Sequence, residues 1–347
     1  MDINLDWTTS YTLKSPSEFM EKYKISDEHM NTVIEARNEI KNVLDGSSNK
    51  LIVITGPCSI HDKMSAIEYA NLLASVKDQF PNLILVMRAY FEKPRTVLGW
   101  KGLIYDPDLD GSDNLAKGLK LSREILINIV SRGIPVGTEF LDTILPQYYS
   151  DLVSWGAIGA RTVESQVHRQ LTSGLSCPIG FKNSSSGNIK VAIDATVMAR
   201  HGHAFPGINS NGDVCLIKTK GNNGTHVILR GSYNNGSNYT KMTDVYKQCT
   251  ARNVDTKVVI DCSHGNSNKD YTKQKNVVNF IVNHIATEGC NTIGGIMLES
   301  HIHEGNQKIS DNLEYGKSVT DACINFTETK RHLKSLNDAI SKFYKNT

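Results

Sequence analysis

The chain has 347 residues, a formal net charge of +2, 39% hydrophobic and 21% charged residues. That composition describes a folded globular chain and excludes a disordered or collagen-like one, while near-neutrality excludes a protein that lives on nucleic-acid phosphates. The longest apolar runs, such as 51–54 and 83–87, fall far short of the ~20 residues a membrane span needs.

Residues 1–17 are polar and without period, and read as an arm. They show no basic segment followed by an apolar stretch, so no secretory signal is expected. Met30, Val33, Ile34, Ile40, Val43 and Leu44 recur at helical spacing until Gly46 stops the run. Residues 1–50 therefore form an N-terminal arm and helix. From residue 51 short apolar strands alternate with amphipathic helices. Strands are predicted at 51–55, 83–90, 134–139, 157–161, 178–182, 203–208, 257–262 and 293–299. Helices are predicted at 64–76, 116–130, 145–153, 164–171, 189–199, 244–251, 277–286 and 319–343. Alternation of near-continuous apolar strands with helices implies a parallel sheet covered by helices. Eight such units predict a closed (β/α)8 TIM barrel over 51–347. Two further strand-like runs, 214–218 and 226–229, are joined by GNNG and read as a β-hairpin inserted after the sixth strand, within about 205–231.

Seven cysteines are scattered through the chain, without a C-x-x-C pair. That pattern predicts a cytoplasmic protein lacking structural disulfides. The Tyr315-Gly316-Lys317-Ser318 run fails as a phosphate loop because Asp311 stands where glycine is required. The pairs His201/His203 and His301/His303 read as strand-end hydrogen-bonding groups.

Almost every polar cluster falls just after a predicted strand, and in a parallel barrel those ends share the face where active sites lie. Arg88, Lys93, Arg95, Arg161, Lys182 and Arg230 make one set. Six cations on one face imply a small ligand carrying phosphate and carboxylate groups. Cys58, His264, Glu299 and Asp321 make the other set, a mixed S/N/O group suited to a divalent transition metal.

Six long segments carry a family resemblance: GPCSIHD at 56–62, the stretch from MRAYFEKPRT to DLDGS at 87–112, WGAIGARTVESQVHRQLTSGLSCPIGFKN at 155–183, DCSHGNSNKDY at 261–271, ESHIHEGNQ at 299–307 and YGKSVTDACI at 315–324. The chain resembles the class I 3-deoxy-D-arabino-heptulosonate-7-phosphate (DAHP) synthases, the first enzymes of the shikimate pathway, from about residue 12 to 345. Departures are the SSSG turn after GFKN and the first dozen residues, which follow no family pattern.

The resemblance implies condensation of phosphoenolpyruvate with erythrose 4-phosphate and release of phosphate. It implies Arg161, Arg230 and the Ala160 backbone on the phosphate of phosphoenolpyruvate. Arg88, Lys93 and Lys182 lie toward its carboxylate and bridging oxygen, Glu139 belongs to the substrate-binding set, and Arg95 and Thr96 hold the aldose phosphate. Cys58, His264, Glu299 and Asp321 match the family's ligands to one divalent ion: Mn, Fe, Co or Zn. Lys93 is implied as proton donor near the developing alkoxide, with His264 and Cys58 beside it in the catalytic set. A barrel synthase acting on arabinose 5-phosphate and a non-catalytic sugar-phosphate sensor stay open, although the KPRT and GWKG motifs favour the four-carbon sugar. The resemblance also implies a homo-oligomer, dimer or tetramer, inhibited by an aromatic amino acid. The matching effector positions are Asp142, Pro146, Gln147, Ser176 and Gly207, and glycine at 207 favours tyrosine over phenylalanine by leaving room for its hydroxyl.

Overall fold

A computed structural model describes residues 11–345. Within the arm, helix α1 (Pro16–Lys22) starts at a capping box in which Ser15 and Glu18 bond each other's backbone. Helix α2 (Asp27–Leu44) follows, capped by Ser26 and His29, and buries Val33, Ala36, Ile40, Val43 and Leu44. The first ten residues of the predicted arm lie outside the described residues.

The barrel runs in chain order as β1 (Leu51–Gly56), α3 (Lys63–Ala74), β2 (Leu83–Arg88), α4 (Leu115–Val130), β3 (Val136–Glu139), β4 (Trp155–Ile158), α5 (Gln166–Gly174), β5 (Ile179–Lys182) and α6 (Lys190–Ala199). A hairpin of β6 (Ala204–Ile208) and β7 (Val214–Lys218) precedes β8 (His226–Leu229), α7 (Met242–Thr250), β9 (Val258–Asp261), α8 (Gln274–Glu288) and β10 (Ile293–His301). The chain closes with β11 (Ile324–Asn325) and α9 (Phe326–Lys345). Strands β1, β2, β3, β4, β5, β8, β9 and β10 pair side by side in parallel, and β1 pairs back onto β10, which closes the (β/α)8 barrel as expected.

Three expectations are corrected. The sixth barrel strand is His226–Leu229, which pairs with β5 and β9. The segment expected there is instead the first arm of the hairpin, and the insertion precedes the sixth strand rather than following it. Burial explains the distinction: β8 is buried throughout, as a strand covered on both faces must be, whereas β7 alternates between exposed and half-buried residues. The hairpin turn carries Asn211-Gly212, while GNNG leads into the barrel strand. The helix expected at 145–153 is two 3₁₀ turns, Leu145–Tyr148 and Ser150–Leu152. Arginines reach carbonyls of this segment that an α-helical ladder would use: Arg123 bonds Tyr148 O, and Arg37 bonds Ser150 O and Val153 O, with Ser150 O also accepting a 3₁₀ bond from Val153 N. The last helix begins at Phe326, because the preceding residues form a loop and the short β11 pairs with the end of β10.

The barrel interior positions the site. Inward-facing residues recur every second position: Ile52 and Ile54, Ile84 and Val86, Trp155 and Ala157, Ile228, Val259 and Met297 share one buried cluster. Ile40, Val43 and Leu44 of α2 belong to that cluster and seal the N-terminal mouth. Only the opposite mouth is left for chemistry.

Candidate active site

The inward column of most strands, continued past the apolar layer, ends in an ionisable residue. Val86 is followed two positions on by Arg88, Gly137 by Glu139, Gly180 by Lys182, Ile228 by Arg230, Val259 by Asp261 and Met297 by Glu299. All six of these charged residues are buried, between 0% and 7% exposed. Period-two geometry therefore gathers them into one layer above the hydrophobic plug.

Gly56 brings the first loop into this layer. A Cβ there would lie 2.7 Å from Arg88 O, and its φ of +156° disfavours other residues. Arg88 then holds the loop, donating from Nε to Pro57 O (3.0 Å) and from Nη2 to Cys58 O (3.2 Å). The same guanidinium pairs with Glu299 at 3.1 Å and stacks 3.6 Å over the Tyr90 ring. Its Nη1 is buried without a hydrogen-bond partner. Gln274 fixes the end of β10 from outside, accepting from Glu299 N and donating to Glu299 O, both at 3.0 Å. Ser59 and Thr320 share a 2.7 Å hydrogen bond that ties the Cys58 loop to the Asp321 loop.

Three of the four expected metal ligands cluster here, and the fourth, His264, stands beside Glu299. Ligand atoms of Cys58, Glu299 and Asp321 lie within 4.8 Å of one another. His264 Nε2 stands 3.8 Å from Glu299 Oε1. One thiol, one imidazole and two carboxylates at this spacing fit a divalent transition metal. Burial, with Glu299 beside it, pushes the Cys58 thiol up, so the thiolate needs a cation to be stable there. Burial works against the Asp321 carboxylate, yet His264 and Lys269 bring its pKa below the usual range.

The six expected cations line one cavity of about 370 Å³ together with Cys58, Glu139, Ala160, His264 and Asp321. Lys93 Nζ donates to Cys58 O (3.2 Å) and lies 3.3 Å from Cys58 Sγ. Burial opposes its charge, but Cys58 and Glu299 hold its pKa above the ordinary lysine value. Lys182 faces Asp261 at 3.3 Å and Glu139 at 4.0 Å. Arg230 is fixed through its backbone, which donates to Asn183 Oδ1 at 2.8 Å. Arg161 reaches across to Thr96, donating from Nε to Oγ1 at 3.1 Å, while Arg95 Nε donates to Trp100 O at 2.7 Å.

Two further groups escape the sequence reading. Asp261 is fully buried between His264 and Lys182; burial opposes its charge, but those two neighbours hold its pKa well below the carboxylate range. Its place in the inward column of β9 was the signal. Glu92 is buried next to Lys93, accepting from Tyr149 OH (2.9 Å) and Asp142 N (3.0 Å). Burial raises its pKa to about 7. No periodicity marks it, because it sits in a loop.

A second cavity, of about 560 Å³, lies between the 3₁₀ segment, α5 and the hairpin, and is lined by Pro146, Gln147, Ser176 and Gly207 among others. Asp142 is outside this lining; its Oδ1 accepts from Ile144 N (2.6 Å) and Leu145 N (3.0 Å), which orients the wall. No helix among the described residues is long and apolar enough to cross a membrane, and all seven cysteines are free.

Comparison with known proteins agrees with this geometry. The family model described as the DAHP synthetase I family matches residues 23–334. The Phe-sensitive phospho-2-dehydro-3-deoxyheptonate aldolase of Escherichia coli K12 is 45% identical, covering 94% of each chain. The Tyr-sensitive enzyme of the same organism is 43% identical over 97% of this chain and 96% of that one. A solved structure of phospho-2-dehydro-3-deoxyheptonate aldolase from Francisella tularensis SCHU S4 superimposes with a TM-score of 0.95 at 44% identity, over 97% of this chain and 99% of that one. With buried cations, a cluster of Cys58, Glu299 and Asp321 and His264 beside it at the C-terminal mouth of a closed barrel, and relatives of this kind along nearly its whole length, the chain belongs to the DAHP synthetase I family.

Proposed function

We propose that this chain condenses phosphoenolpyruvate with erythrose 4-phosphate and water to give DAHP and inorganic phosphate. The observation that carries the reading is the junction, in one cavity, of Cys58, His264 and Asp321 with all six expected cations. The unpaired Nη1 of buried Arg88 adds a donor for the carboxylate of phosphoenolpyruvate. Arg161 and Arg230 take its phosphate, helped by the Ala160 backbone, and Lys182 and Lys93 neutralise the carboxylate and bridging oxygen. Arg95 and Thr96 hold the aldose phosphate, and the Arg161–Thr96 contact sets the two anion sites in register. Fixed register of two reactants supplies orientation worth several kcal/mol of barrier.

A bond forms between C3 of phosphoenolpyruvate and the aldehyde carbon, water adds at C2, and the resulting hemiketal phosphate expels phosphate by C–O cleavage. Lys93 donates a proton to the developing alkoxide. Cys58, His264, Glu299 and Asp321 would hold one divalent ion (Mn, Fe, Co or Zn), which supplies Lewis-acid polarisation of the aldehyde oxygen. Phosphate release from phosphoenolpyruvate, measured with erythrose 4-phosphate and with arabinose 5-phosphate, tests the reading. Turnover with the four-carbon sugar alone is expected; preference for the pentose, or turnover with neither, overturns it.

The second cavity is read as the effector site, with tyrosine preferred over phenylalanine and tryptophan. Gly207 supports this: a Cβ there would lie 2.8 Å from Ile217 Cγ1, so serine would crowd the hairpin face that lines the cavity. Val214 and Leu216, 83% and 64% exposed on the hairpin, support assembly into a dimer or tetramer. The free cysteines support a reducing, cytoplasmic setting.

A further inference from the structure

We propose that Asp261 is a positioning residue that ties the metal-ligand imidazole of His264 and the substrate-binding ammonium of Lys182 to a single carboxylate. The proposal rests on the metal-site and substrate readings above. Asp261 ends β9 and has no exposed surface. Its Oδ1 is held by Ser263, whose backbone N–H donates at 3.1 Å and whose hydroxyl donates at 2.6 Å. Those two bonds fix the carboxylate plane and turn Oδ2 toward the site. Oδ2 lies 2.9 Å from His264 Nδ1 and 3.3 Å from Lys182 Nζ.

Each contact has a chemical consequence. Oδ2 closes no hydrogen bond with either neighbour, but its charge beside Nδ1 favours the imidazole proton on that nitrogen and leaves the lone pair on Nε2, the nitrogen a metal requires. Nε2 is the atom that stands 3.8 Å from Glu299 Oε1. The backbone also needs this anchor, because His264 sits at φ 54°, a left-handed conformation unusual for a non-glycine residue. Ser263 Oγ, 3.0 Å from Nδ1, shares in the restraint. On the other side, Lys182 is buried, and an unpaired buried ammonium is strongly unfavourable. Its second carboxylate neighbour, Glu139, is farther away at 4.0 Å. Asp261 thus holds Lys182 in place before an anionic substrate arrives. One carboxylate serving both groups couples metal affinity to substrate affinity, which a purely structural residue would not do.

Asp261→Asn separates these possibilities. If the amide oxygen keeps the Ser263 bonds, its NH₂ group faces His264 Nδ1 and Lys182 Nζ and favours the wrong imidazole tautomer. Titration of the metal-free chain with Co²⁺, followed through the thiolate-to-metal absorption band and by calorimetry, should show affinity lowered about 10- to 100-fold. At saturating metal the KM for phosphoenolpyruvate should also rise. Glu139→Gln should raise that KM while leaving Co²⁺ affinity unchanged. Ser263→Ala, a gentler change, should lower Co²⁺ affinity in the same direction by a smaller factor, and decides the matter if Asp261→Asn does not fold. Unchanged Co²⁺ affinity in the Asp261 and Ser263 variants, beside a wild type that binds, overturns the proposal alone. A wild-type chain that binds no Co²⁺ overturns the metal-site reading and this proposal with it.

Discussion

The active mouth and the flank cavity of this barrel are made of different materials. The active mouth is built on strand ends, where main-chain pairing holds Arg88, Lys182, Asp261 and Glu299 in a buried charged layer. The flank cavity is built from a 3₁₀ segment, one face of α5 and a two-stranded hairpin with exposed residues. A strand end leaves a side chain little freedom, so chemistry that requires a given charge at a given point belongs there. Hairpins and loops tolerate change, so specificity can drift there while the chemistry stays. The relatives fit this contrast: Phe-, Tyr- and Trp-sensitive enzymes are 45, 43 and 44% identical to this chain. Overall identity thus does not separate the three effector types.

The largest expected effect falls on the active mouth. Chelation should abolish turnover, and Mn²⁺, Co²⁺ or Fe²⁺ should restore it. Cys58→Ala should lose nearly all activity, whereas Cys177→Ala, buried away from the charged layer, should keep its kcat. Full activity of a verified metal-free sample would show that the donor cluster plays no catalytic part.

Glu92 lies between the two regions, next to Lys93 and bonded to the backbone of Asp142. Burial raises its pKa from 4.5 to about 7. Between those values the folded chain binds the proton that the unfolded chain has released, so stability from this group falls as pH rises through the window. The loss approaches about 3 kcal/mol by pH 8 and is absent below pH 4.5. Denaturant unfolding at pH 5 and pH 8 should show it, and Glu92→Gln should remove that part of the slope. Equal slopes in both proteins would mean that the carboxyl does not titrate in this range.

Arg161→Ala and Arg95→Ala should each cost about 1.5–3 kcal/mol, the range for a charged hydrogen bond. The first should raise the KM for phosphoenolpyruvate and the second that for the aldose phosphate. Lysine should rescue neither fully, because the planar fork is lost. If steady-state kinetics show both alanine variants raising the same KM, the division into two anion sites fails.

The smallest effect tests the flank cavity. Gly207→Ser should shift inhibition from tyrosine toward phenylalanine by about 1 kcal/mol, several-fold in the inhibition constant, on the scale of one small group in a pocket. An inhibition series with the three aromatic amino acids reads this directly. Insensitivity of the wild type to all three would remove the regulatory reading, and stronger inhibition of the wild type by phenylalanine would remove the role given to Gly207.

Much of this molecule was legible before its structure. Strands β1 and β2 are buried on both faces, so their sequences are unbroken apolar runs that locate them to within two residues. The residues read as metal donors and cations stand out because, Asp321 apart, each lies near the end of a strand or follows one. The sequence leaves the hairpin ambiguous because two strand-like segments lie on either side of 214–218, and both junctions contain Asn-Gly. Only pairing decides between them: Ala204 lies opposite Lys218 in an antiparallel ladder, whereas His226 lies opposite Gly180 in a parallel one. Period two set which strand-end residues face inward, and so the identity of the charged layer belongs to the sequence. How those charges divide belongs to the tertiary structure. Asp261 meets Lys182 and Glu299 meets Arg88 because barrel closure brings strands far apart in the chain to one axis, and a distance of 3 Å across that axis has no signature along the chain.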